Sequence, residues 1–252
     1  MSSENGLPAA VRAASWARTL SGLRDPALQV GWLRERLRQD SPSDTADVLT
    51  VVLARAEQRE EPYGVLLLRA SIALADKPAL RSAIGRVARS RGQTALARFL
   101  GGHPSDPSPE GDDKRSRVAD AQTGRTLTLG ERKSLARRLD RGVLARVLQD
   151  PHPDVIRILL DNPALREADV VRLCARRPGQ PAVLGEIFRH PRWVSRYHVQ
   201  LSLVLNPHTP EEIALQLLPH LTPNDRREVL RSLQLPATVR DACREPGEDT
   251  AH

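Results

Sequence analysis

The chain has 252 residues, a formal net charge of +7 and only 3% aromatic residues. That length suits one large domain or two small ones with a buried core. So few aromatics argue against a mainly β fold, because strands draw on Tyr, Phe, Trp and Thr. Cys174 and Cys243 stand far apart with no CxxC around either, which argues against a disulfide framework or a Cys-rich metal site. The longest apolar runs, VLTVVLA and GVLLL, are too short to span a bilayer. The opening MSSENGLPAAVRAASW lacks a basic segment followed by an apolar core. The expectation is a soluble, cytoplasmic protein. Only Lys77, Lys114 and Lys133 among the 38 basic residues are lysines. Such an arginine excess fits either a codon bias or a basic surface for phosphates and acidic partners. The charge is spread over both ends of the chain, with no polybasic block.

Leu, Ala, Arg and Glu are abundant, which favours helices. The first block, residues 1–100, opens its periodic part with DPALQVGWLRERLRQD, where Asp25 is a cap and Pro26 takes the first helical position. Val30, Leu33 and Leu37 then share a face. SDTADVLTVVLARAEQ starts a helix at Ser43 or Asp44 and groups Val48, Val51 and Val52. PYGVLLLRASIALA and KPALRSAIGRVARSRG follow, split by DKP. Helices of this size with short connectors pack as antiparallel hairpins, with Trp16 and Trp32 in or near the core. Residues 101–127 are rich in Gly, Pro, Ser and Asp and almost devoid of apolar residues, so they read as a disordered linker.

The second block, residues 128–244, begins with Thr128 and Glu131 at capping-box spacing. Thr209-Pro210 with Glu212, and Thr222-Pro223 with Asp225, repeat the signal. Residues 245–252, EPGEDTAH, read as a loose acidic tail. Within this block DPHPDVIRILLDNP aligns with HPRWVSRYHVQLSLVLNP: Pro151 with Pro191, Arg157 with Arg196, and Asn162-Pro163 with Asn206-Pro207. LPATVRDACR is a weaker third copy, with Pro236, Val239 and Arg240. The spacing of about 40–45 residues is that of HEAT-type helical pairs. EADVVRLCARR and EEIALQLLPHL supply the partner helices, and pairs that cannot bury their stripes alone stack.

These residues carry a resemblance. The D-P-x-P-x-V-x-R-x-x-L-x-x-N-P pattern resembles HEAT-like repeats and the leucine-rich repeat variant proteins of bacteria. The run from LTLGERKSLARR to LVLNPHTP resembles a group of HEAT-like repeat proteins found mostly in myxobacteria. The resemblance covers about residues 126–244. It implies a right-handed α-solenoid there and, for most relatives, no known enzymatic activity; with the helical-hairpin block that periodicity predicts before it, the expected fold is all-α. The iron–sulfur cluster that some leucine-rich repeat variant proteins carry needs cysteines this chain lacks.

No stretch carries an enzymatic constellation: there is no Gly-rich phosphate loop, GxSxG, HExxH or DxDxDG. His152 and Asp154 are an acid–base pair on paper, but no nucleophile or orienting group accompanies them and His152 lies between two prolines. His152, His190, His198, His208 and His220 lack the i, i+4 spacing of a metal site. No cofactor or metal is expected. The stretch RHPRWVSRYH interleaves Arg189, Arg192 and Arg196 with Trp193, Tyr197 and His198, the mixture used at protein hot spots and nucleic-acid surfaces. The competing reading is that Trp193 and Tyr197 pack against the adjoining repeat. Arg176 and Arg177, at a helix C-terminus, either complement its dipole or extend the same basic face. Candidate partner-binding residues are therefore Arg176, Arg177, Arg189, Arg192, Trp193, Arg196 and Tyr197. The expected function is a non-enzymatic scaffold or adaptor for a protein partner. The alternative is nucleic-acid binding: HEAT-like folds include DNA glycosylases that use Trp, Arg and an Asp, for which Trp193, Arg192, Arg196 and Asp154 would stand here.

Overall fold

A computed structural model describes residues 7–101 and 126–244. Residues 102–125, nearly all of the expected linker, and the expected acidic tail 245–252 lie outside the described residues. The fold is all-α, and its helices fall into two compact units: Met1–His103 with Glu211–His252, and Pro104–Pro210.

The first unit contains α1 (Ala9–Gly22), α2 (Pro26–Gln39), α3 (Pro42–Glu57), α4 (Tyr63–Ala75), α5 (Pro78–Ser90) and α6 (Thr94–Phe99). Asp25 caps α2 as expected, its carboxylate accepting the Ala27 N–H at 2.8 Å, with Pro26 at the first position. Helix α3 starts at Pro42, one or two residues earlier than the sequence suggests. Ser41 is the cap, its hydroxyl accepting the Asp44 N–H at 3.1 Å, because Pro42 lacks the N–H that a first-turn residue would leave unpaired. Helix α4 is buried almost all round, from Leu66 to Leu74, and packs against α1, α2, α3 and α5. A helix apolar on every side belongs in the centre of a core. Arg69 is the charged exception on α4; its Nε donates to Gln29 at 2.9 Å, and Gln29 in turn donates to the Leu20 and Leu23 carbonyls at the end of α1. Burial pulls the Arg69 pKa down. Trp16 is 1% exposed and meets Trp32 edge-on at 6.2 Å.

The same unit takes in α14 (Glu211–Leu217), a 3-10 turn at Leu218–His220, α15 (Pro223–Arg231) and α16 (Ala237–Asp241). The boundary after the repeat helices therefore falls at Glu211, not Arg244. The reason is visible in α14, where Ile213, Ala214, Leu215, Gln216 and Leu217 are consecutively buried. One neighbouring helix cannot cover so wide an apolar surface, and α14 packs on both α4 and α6 while the following turn packs on α3. Arg59 Nη2 donates to the Leu221 carbonyl at 3.2 Å, and the carboxylate of Glu212 lies 4.0 Å from Arg81.

The second unit holds α7 (Leu129–Leu135), α8 (Arg141–Val147), α9 (Pro153–Leu160), α10 (Glu167–Ala175), α11 (Pro181–Arg189), the one-turn α12 (Pro191–Val194) and α13 (Tyr197–Val204). The Thr128–Glu131 capping box is formed in both directions. Two helices that periodicity left unassigned, α8 and α11, lie just before the aligned stretches, so that each stretch closes a block of three main helices: α7, α8 and α9, then α10, α11 and α13. Two buried asparagines lock these blocks in the same way. Asn162, after α9, donates to the Ala136 and Arg138 carbonyls at 2.9 and 2.8 Å and accepts the Ala164 N–H. Asn206, after α13, donates to the Cys174 and Arg176 carbonyls at 2.6 and 3.0 Å and accepts the His208 N–H. Each thereby satisfies carbonyls that a helix end leaves without partners.

Candidate interaction surface

The stretch Asp150–Pro163 is structural throughout. Asp150 is buried and takes Arg132 on both oxygens at 2.9 and 3.2 Å, while also accepting the His152 N–H. The helix starts at Pro153, the second of the two prolines that flank His152. His152 is its cap, with Nδ1 accepting the Asp154 N–H at 3.2 Å. Asp154 pairs with Lys133 at 2.7 Å and Arg157 at 2.8 Å. The hydrogen bond from Lys133, with the nearby positive charges, holds its carboxyl below the ordinary range against a smaller opposing effect of burial.

The arginine–aromatic stretch divides into separate jobs. Trp193 is 2% exposed, and its Nε1 donates to the Leu160 carbonyl at 2.7 Å, closing the end of α9. Packing therefore accounts for the indole, which presents no free face for a partner. The exposed Arg192 guanidinium lies over the outer side of that ring at 4.3 Å. Arg189 pairs with Glu186 at 3.2 Å, and Arg196 stands 3.9 Å from Glu167. Tyr197 is half-buried, edge-on to His198 at 6.1 Å. Arg177 donates to the Leu205 carbonyl at 3.0 Å, a clamp on the end of α13. Among the seven sequence candidates, Arg176 has a different setting, the rim of a cleft between α8 and α10 of about 400 Å³.

That cleft is built by two facing helical stripes. Arg141 and Ala145 come from α8 with Leu148 just past its end, and Asp169, Arg172 and Leu173 from α10 with Arg176 just past its end, each at i, i+3/i+4, i+7 spacing. Asp169 is 1% exposed at the junction of the two helices. It accepts Arg141 on two oxygens at 2.7 and 3.1 Å, Arg172 at 2.7 Å and the Arg166 N–H at 3.1 Å. The Arg141 hydrogen bond is the main cause of its lowered pKa, which burial partly opposes. The pairing raises the Arg141 pKa in turn. The carboxylate is thus enclosed, while the side chains of Arg141 and Arg172 remain 45% and 74% exposed. Sequence reasoning missed Arg141, Arg172 and Asp169 as members of one site. The Asp169–Arg172 pair was legible as i, i+3, but Arg141 comes from 28 residues away.

Cys174 is buried, and its thiol pKa is pushed far up by desolvation; Cys243 is raised to about 11 for the same reason. Among the described residues no three His, Cys, Asp or Glu side chains gather as metal ligands would. No helix among them is long and apolar enough to cross a membrane. No family model, curated protein or solved structure matches the chain.

Proposed function

We propose that this chain is a non-enzymatic scaffold or adaptor, and that stacked helical blocks in its second unit present a surface to a protein partner. The observation that carries this reading is the twin contact of Asn162 and Asn206, each tying the end of one helix to the two carbonyls that finish another. A block joined through backbone carbonyls can be repeated with any surface residues, which is how repeat proteins acquire binding faces without altering their frame. The HEAT-like resemblance of residues 126–244 points the same way. The side chains best suited to acid–base chemistry, His152 and Asp154, are spent on a helix cap and on two cation pairs. The nucleic-acid alternative draws less support. Stacking on bases needs an accessible aromatic face, and Trp193 is enclosed.

The test is affinity capture with the tagged full-length chain, with nuclease present throughout, followed by reconstitution with the purified partner. A discrete protein that binds in reconstitution is the expected result. Failure to retain any protein, together with salt-sensitive mobility shifts on DNA, would transfer the assignment to nucleic acid.

A further inference from the structure

We propose that the cleft between α8 and α10 is a docking groove for an acidic peptide segment of a protein partner, one that sets carboxylates beside an aliphatic side chain. The inference rests on the scaffold reading and names the chemistry of the partner. Charge complementarity selects the occupant. Arg141, Arg172 and Arg176 stand around the cleft, and the acid within it, Asp169, is enclosed and already saturated by Arg141, Arg172 and a backbone N–H. A ligand entering from solvent therefore meets guanidinium groups. Arg141 and Arg172 are pre-oriented by Asp169, so little side-chain freedom is lost when their outer N–H groups engage a carboxylate. Arg176 is exposed, and among the described residues no side chain pairs with its guanidinium.

The floor decides between classes of anionic partner. Ala145, Leu148, Leu173 and Ala175 supply its aliphatic lining, beside the amide of Gln149. They suit a Leu, Ile or Val side chain and offer no ring on which a base could stack. A volume of about 400 Å³ lies at the lower end of the range for binding pockets, enough for a few side chains rather than a folded element. The helical stripes run along the cleft, so a short peptide can place an apolar residue on the floor and acids against both rims.

Fluorescence anisotropy on the full-length chain tests this. The probe is a fluorescein-labelled peptide of alternating Asp-Glu-Leu triplets. Its comparators are the same peptide with Asn and Gln for the acids, and a short oligothymidylate. The acidic peptide should bind, more weakly as salt rises, and the amide peptide at least tenfold less tightly. Arg176→Glu should weaken binding at least tenfold and Arg176→Lys less than threefold. Ala145→Glu, at an exposed position on the floor, should act like Arg176→Glu, whereas Arg86→Glu on α5 should leave binding unchanged. Equal binding of the acidic and amide peptides, or indifference to Arg176→Glu and Ala145→Glu, overturns the proposal, as does binding of the oligothymidylate alone. The scaffold reading fails separately. A captured partner that binds Arg176→Glu as well as the parent chain removes the groove and leaves the scaffold. Peptide binding that depends on Arg176, with no partner captured, does the reverse.

Discussion

Replacing Asn206 with alanine tests whether the asparagine contacts hold the helical blocks together. The side chain is 2% exposed and makes three hydrogen bonds to backbone groups: two donated, to the Cys174 and Arg176 carbonyls, and one accepted, from the His208 N–H; its Oδ1 also stands 3.3 Å from His208 Nδ1. A typical intramolecular bond contributes about 1 kcal/mol net, and a buried group left without a partner costs about 1–3 kcal/mol. Alanine removes all three bonds and strands the Cys174 carbonyl in a buried setting. The expected loss is about 3 kcal/mol, with the cavity adding a smaller amount. Asn206→Asp keeps the acceptor for His208 but sets a carboxylate against two carbonyls, so it should be no milder. Asn162→Ala should cost a similar amount, because its bonds to Ala136, Arg138 and Ala164 have the same form. The two sites share no partners, so their effects should add. Urea unfolding gives the global change, and hydrogen exchange of peptides covering α10 and α13 localises it. A loss below about 0.5 kcal/mol at both positions, with α10 and α13 still protected, would refute the idea that these asparagines hold the blocks together.

Trp193→Phe removes the N–H that closes the Leu160 carbonyl and should destabilise the second unit by about 1–3 kcal/mol, read as a lower urea midpoint with an unchanged slope. His220 supplies a pH dependence in the first unit. Its Nε2 is enclosed without a hydrogen-bond partner, and burial, with Arg226 nearby, lowers its pKa from 6.5 to about 4. The unfolded chain thus takes up a proton before the folded one. The stability contribution is full above about pH 6.5, falls as pH drops, and is gone below about pH 4, a span worth about 3 kcal/mol. Unfolding midpoints of the parent chain and His220→Gln, measured from pH 7.5 to 4, should converge toward low pH. Parallel curves would show that His220 is not the titrating group.

Much of this architecture could be read from the chain itself. Composition indicated helices, and caps such as Asp25 and Thr128 are local, so their residues announced themselves. The recurrence of Asn-Pro at 162–163 and 206–207 marked equivalent places, and the structure gave both asparagines the same bonds. Local pattern did less well where proline shifted a helix start, at Pro42, because several neighbouring residues there can serve as the cap. It also passed over α8 and α11, which at seven and nine residues give the apolar period only about two turns to show itself. Tertiary structure alone decided that α14–α16 belong with the N-terminal helices, since an apolar surface does not name the helix that will cover it. It alone withdrew Trp193 into the core by offering the Leu160 carbonyl, 33 residues away, as a partner. And it alone set Arg141 beside Asp169, Arg172 and Arg176, because two stripes on different helices become one cleft only after the helices have packed.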